Sequence, residues 1–139
     1  MKQIAMGWGL MLMCLCALAA PQHATVDTSA RQSSAPDVQR ALNGKRRMLV
    51  IDVRSPQEFA SGHIPEAVNI PVDELAGKLA AMKVGKDTTL VTVCEHGGRS
   101  SRAALELQKL GYKTASYCTL DAWKKCGYKI ATGKAKPHE

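Results

Sequence analysis

The stretch "TLVTVCEHGGRSSRAALELQKLGY" occupies Thr89–Tyr112. Residues 88–93 form the most strand-like run in the chain, apolar and rich in β-branched residues, which predicts a buried strand. The run stops at Cys94. Two glycines and an arginine follow at once. A helical pattern then covers Ser100–Leu110, with Ala103, Ala104, Leu107 and Leu110 on one face and Gly111 as the stop. A strand leading through a bare loop into a helix is half of an α/β unit, and it has a thiol at its tip.

In a parallel sheet, ligands bind at the carboxyl ends of the strands. Cys94 stands at such an end. The loop Glu95-His96-Gly97-Gly98-Arg99 can curl so that backbone N–H groups converge as an anion nest at a helix N-terminus. Gly97 and Gly98 allow the positive φ angles this curl requires. Arg99 adds a permanent charge and a fork of donors. Each of these features stabilises a thiolate, the nucleophilic form of cysteine. The competing reading is a core cysteine at a strand end. The glycines, the arginine and the helix start, gathered within a few residues, favour a reactive thiol. His96 is a candidate proton shuttle. A carboxylate near the thiolate would raise its pKa, so the Glu95 side chain is expected to face solvent.

The remaining elements fall on either side. Asp37–Asn43 reads as a short helix ended by Gly44. Met48–Val53 reads as a buried strand. Ser55, Pro56 and Glu58 form a capping box with proline at the first helical position, opening a helix that runs to Ser61 and ends at Gly62. Ala67–Pro71 is a second strand. Val72, Leu75, Leu79 and Met82 mark a helix. Lys113–Tyr117 is a strand, and Leu120–Lys125 a last helix carrying Trp123. Strands alternating with helices predict an α/β fold with a largely parallel sheet.

Residues 1–19 have the layout of a secretory signal peptide: Lys2, an apolar run from Ile4, the small exit Ala17-Leu18-Ala19, and Pro21 just beyond. A retained anchor is the alternative. Cys14 and Cys16 follow Met13 and Leu15, not the small residue of a lipoprotein cleavage site. Residues 20–36, rich in Ser, Thr, Gln and Ala, read as a flexible linker. Residues 37–131 then form one domain, and 132–139 a tail. The whole chain carries +7. Its lysines are scattered and its aromatics few, so the basic balance reads as a solvated face without nucleic-acid binding. Beyond the leader stand Cys94, Cys118 and Cys126. Their odd number leaves at least one thiol unpaired in an exported monomer. No Cys or His cluster has zinc spacing, so no metal is expected.

With these residues in view, "LVIDVRSPQEFASGHIPEAVNIP" followed by "VCEHGGRSSRAALELQKLGY" resembles a single-domain rhodanese, a thiosulfate sulfurtransferase. The likeness covers roughly Val50 to Tyr128. It rests on Asp52-Val53-Arg54, on Gly62-His63-Ile64-Pro65 leading to Asn69-Ile70-Pro71, and on the Cys-x-x-Gly-x-Arg loop. With the export signal the chain is most similar to the small periplasmic rhodaneses of the phage-shock type. The resemblance implies a five-stranded, mainly parallel sheet with helices on both faces. It implies that Cys94 attacks the outer sulfur of thiosulfate, releases sulfite and carries a persulfide, which a thiol or cyanide acceptor removes, with no separate cofactor. It further implies that the Glu95–Arg99 amides hold the persulfide. Arg99 would bind the leaving sulfite, and Asp52 and Arg54 would support the site. A monomer is expected, free of the membrane once the leader is cleaved.

The chain departs from the family in one place. The usual Gly-Gly turn before the last helix is replaced by Cys118-Thr119. Placed in that turn, Cys118 lies on the same rim as Cys94 and is a candidate resolving thiol. Cys126 is expected to pack as a small apolar residue. Two other readings remain. One is a non-enzymatic persulfide carrier or thiol-redox protein. The other is a cysteine-dependent phosphatase or arsenate reductase, which uses Cys-x5-Arg where this chain has Cys-x4-Arg.

Overall fold

The computed structural model describes residues 30–134. The expected leader, most of the expected linker and the last part of the tail lie outside that range. Four strands, β1 (Met48–Asp52), β2 (Val68–Asn69), β3 (Thr89–Cys94) and β4 (Ser116–Thr119), form one sheet in the order β2-β1-β3-β4. All three pairings are parallel. The expected sheet has five strands and the observed one has four. Where a fifth would lie, beyond β4, there is a single parallel bridge between Gln32 and Tyr117. It is fastened by Tyr117 N–H to Arg31 O at 3.0 Å and Ser33 N–H to Tyr117 O at 2.7 Å.

Both central strands read as continuous apolar runs because helices cover both faces of the sheet. On one face Ile51, Leu90 and Cys94 pack with Leu75 and Leu79 of α3 (Leu75–Ala81) and with Ala103 and Leu107 of α4 (Gly98–Lys109). On the other, Val50, Val91, Val93 and Cys118 meet Val38 of α1 (Ala35–Asn43), Phe59 of α2 (Pro56–Ser61), and Leu120 and Trp123 of α5 (Leu120–Lys125).

Most local signals act as read. The Ser55–Glu58 capping box is present in both directions, with Pro56 at the first helical position. Helix α1 begins at Ala35, before the expected Asp37, because Ser34 accepts the Asp37 N–H and caps it there. The helix expected from Val72 starts as a 3-10 turn, Val72–Glu74, and becomes α-helical only at Leu75. Leu110 falls at the C-cap of α4 and is 45% exposed, so it leaves the apolar face assigned to it.

The expected strand Lys113–Tyr117 is displaced to Ser116–Thr119. Its register sets Val93 beside Cys118 and Cys94 beside Thr119. Cys118 is therefore a strand residue and does not occupy the turn before α5. Thr119 is the N-cap of α5, its hydroxyl accepting the Ala122 N–H at 3.1 Å.

Candidate active site

The Cys94 side chain lies where the end of β3 meets the head of α4, and it is 2% exposed. Gly97 caps the helix at φ +105°. A Cβ there would sit 3.3 Å from Tyr117 Cε2 and Thr119 Cγ2, so the turn needs glycine for conformation and for space. Gly98 is the first residue of α4 and has open space around it, so the curl expected to use both glycines uses only Gly97 for its positive φ.

The first amides of a helix have no partner within it. Here they turn to the sulfur. Gly97 N–H reaches Cys94 Sγ at 3.2 Å and Ser100 N–H at 3.3 Å. The thiol donates to Ser100 Oγ at 3.2 Å, and that hydroxyl also lies 3.2 Å from Gly97 O and 3.4 Å from Cys118 O. When the thiol ionises, the hydroxyl proton can turn onto the sulfur. Burial pushes the thiol pKa up. The Ser100 hydroxyl and the amides of Ser100, Gly97 and Arg99 oppose that push and leave it below its ordinary value of 9.0.

Arg99 does not stand free in the loop. Its fork grips Glu58, Nη1 to Oε2 at 2.9 Å and Nη2 to Oε1 at 2.7 Å. Glu58 Oε2 also accepts the Ser55 N–H at 3.0 Å. The Arg99 guanidinium and the Ser55 amide hold the Glu58 carboxyl down to about 2. One carboxylate thus closes the cap of α2 and ties it to the cysteine loop.

Behind the loop, Asp52 and Arg54 are buried together. Arg54 Nη2 donates to Asp52 Oδ2 at 2.7 Å and to Gly62 O at 2.7 Å. Its Nη1 reaches Glu95 Oε2 at 3.2 Å, and Lys124 Nζ reaches Glu95 Oε1 at 2.7 Å. The Glu95 side chain, expected to face solvent, is instead held between two cations. Asn69 Nδ2 donates to Asp52 O and Arg54 O, fastening β2 to this end of β1. His96 is exposed.

Two of the three cysteines depart from expectation. Cys118 is 1% exposed in the core on the opposite face of the sheet from Cys94. Alternation along parallel strands sends Val93 and Cys118 one way and Cys94 the other. Although β3 and β4 are neighbours, a Cys94–Cys118 bridge would have to pass through the sheet, so the expected resolving position is not realised. Burial also raises the Cys118 pKa. Cys126, expected to pack in the core, is exposed at the end of α5. All three are free thiols.

A family model for the rhodanese-like domain matches residues 34–126. The chain belongs to the rhodanese-like domain family. "Uncharacterized protein YqhL" of Bacillus subtilis is 40% identical over 91 residues, which make up 66% of this chain and 70% of that protein. Human single-domain sulfurtransferase TSTD1 is 32% identical, with a TM-score of 0.58 over 69% of this chain and 96% of that one. The thiosulfate sulfurtransferase of Pseudomonas aeruginosa is 26% identical, with a TM-score of 0.70 over 74% of this chain and 20% of that one. Family and neighbours together support a sulfurtransferase-type function for this rhodanese-like domain.

The sequence assigns no role to Ser100, to Glu58 as the partner of Arg99, to Lys124, or to Asn69, which enters there only as part of a motif. Ser100 had a usable signal. Once Gly97 is taken as the helix cap, Ser100 is the third helical residue, and its amide must find a partner outside the helix. The other three needed the sheet register to bring distant residues together.

Proposed function

We propose that this rhodanese-like protein is a thiosulfate sulfurtransferase working through a persulfide on Cys94. The observation that carries the reading is the sulfur itself, buried at a strand end with two amides donating to it and the Ser100 hydroxyl accepting from it. The Cys94 thiolate attacks the outer sulfur of thiosulfate. A new S–S bond forms on Cys94, the donor's S–S bond breaks, and sulfite leaves with the bonding pair. An acceptor thiolate, or cyanide, then takes the outer sulfur and restores the Cys94 thiolate. The sulfur travels on the protein's own cysteine, so no separate cofactor enters the scheme.

In this scheme the Gly97 and Ser100 amides stabilise the anion on the terminal sulfur, as an oxyanion hole does. Arg99 keeps its grip on Glu58 and offers its remaining donors to the sulfite group. Asp52, Arg54 and Glu95 hold the loop in place. The reading extends to an exported monomer of the phage-shock type acting in the periplasm, supported by the leader-like residues 1–19.

Thiosulfate with cyanide should yield sulfite, and an aryl phosphate should yield no phosphate. Phosphate release without sulfite release would replace this reading with the phosphatase one.

A further inference from the structure

A groove of about 320 Å³ opens beside the cysteine loop, lined by Val72, Asp73, Arg99, Arg102, Leu105 and Glu106. Arg99 belongs to loop and groove alike. Its charge is engaged by Glu58, and Glu106 is paired with Lys109 at 2.8 Å. Among the described residues, Arg102 and Asp73 are the two lining charges without an ion-pair partner. Arg102 makes one bond, Nε to Gly98 O at a long 3.4 Å, and its guanidinium is exposed. Val72 is one of the few large apolar side chains left exposed, at 38%.

One free guanidinium, one free carboxylate and an apolar wall within a single groove suit one kind of molecule. It carries a carboxylate, an ammonium and a short aliphatic stem. The groove also reaches the head of α4, where the reacting atom is held. Arg99, next in sequence to the Ser100 amide that bonds the sulfur, lines the groove, and Arg102 follows it by three residues on the same side of the helix, less than one turn and about 4.5 Å along the axis.

We infer that this groove seats the sulfur acceptor, and that the acceptor is a small zwitterionic thiol of the amino-acid type. Its carboxylate sits on Arg102, its ammonium faces Asp73 and its stem lies along Val72 and Leu105. The inference rests on the proposed sulfurtransferase function and specifies its second half. The acceptor thiol loses its proton to solvent, and its thiolate attacks the outer sulfur of the Cys94 persulfide. An S–S bond forms on the acceptor as the S–S bond to Cys94 breaks. Cys94 leaves as the thiolate, and no outside oxidant or reductant is needed.

The test is a single-turnover discharge. Wild type, Arg102→Ala, Arg102→Glu and Asp73→Asn are loaded to completion with excess thiosulfate, freed of donor, and mixed with cysteine, mercaptopropionate, mercaptoethanol or cysteamine. Rates are compared per thiolate, so that differences in thiol pKa drop out. Wild type should discharge to cysteine and mercaptopropionate roughly tenfold faster than to mercaptoethanol, a ratio worth one charge-assisted contact. Arg102→Ala should erase that ratio, and Arg102→Glu should turn the preference toward cysteamine. Asp73→Asn should remove the advantage of cysteine over mercaptopropionate. Equal wild-type rates with all four thiols, or a preference that survives in Arg102→Ala, would overturn the groove assignment while leaving the sulfurtransferase reading intact. A wild-type protein that takes up no sulfur would overturn that reading and the groove assignment with it.

Discussion

Ser100 is the residue on which the reactivity of Cys94 turns. Its hydroxyl and amide oppose the burial that pushes the thiol pKa up. Ser100→Ala should therefore raise the apparent pKa seen in the pH dependence of Cys94 alkylation. It should also slow sulfur uptake at neutral pH by roughly tenfold, about the worth of one hydrogen bond to a charged group. An unchanged pH profile would mean that the amides alone set the thiolate. Glu58 offers a second test. Its folded pKa, about 2, lies below its ordinary value of 4.5. A depressed carboxyl stabilises the fold above the ordinary pKa, and that contribution is lost as pH falls through 4.5 toward 2. Glu58→Gln keeps a capping-box side chain but removes the charge. Its urea midpoint should fall less steeply than wild type across that window. The difference should stay under about 1 kcal/mol, because both partners are partly exposed and screened.

At the scale of elements, the β3–loop–α4 unit imposes the strictest local demand, and Gly97 carries it. Gly97→Ala should lose about 1–2 kcal/mol from the left-handed φ alone. It should also lose most sulfur transfer, since the new methyl meets Thr119 and Tyr117. Gly98→Ala, helical and unobstructed, should fold and work nearly as wild type. Equal stability of the two variants in urea would contradict this assignment of the turn. This unit, with α2 and its capping box, was legible in the sequence because its signals are local: a β-branched run, a glycine pair, a cap. Strand β4 was not. Its limits are set by register with β3, which pairs Cys94 with Thr119 and draws Cys118 into the sheet. Nothing between Lys113 and Thr119 announces that register. The same long-range pairing hid Glu58 from Arg99 and Lys124 from Glu95. Side-chain roles legible as residue types were thus not legible as partners.

Across the whole molecule, the sheet separates its thiols. Cys94 faces α3 and α4, Cys118 faces α1, α2 and α5, and Cys126 faces solvent. A thiol reagent added to native protein should label Cys126 first and Cys118 only on unfolding. Mild oxidation should give dimers linked through Cys126 and no Cys94–Cys118 peptide, and recovery of that peptide from folded protein would contradict the two-faced arrangement. The central claim is that Cys94 holds the travelling sulfur. Intact-mass measurement after thiosulfate treatment, followed by peptide mapping without reductant, tests it most directly. The account predicts a gain of one sulfur, about 32 Da, located on the Cys94 peptide and absent from Cys94→Ser. An unchanged wild-type mass with Cys94 shown to be free beforehand, or the same gain in Cys94→Ser, would contradict it.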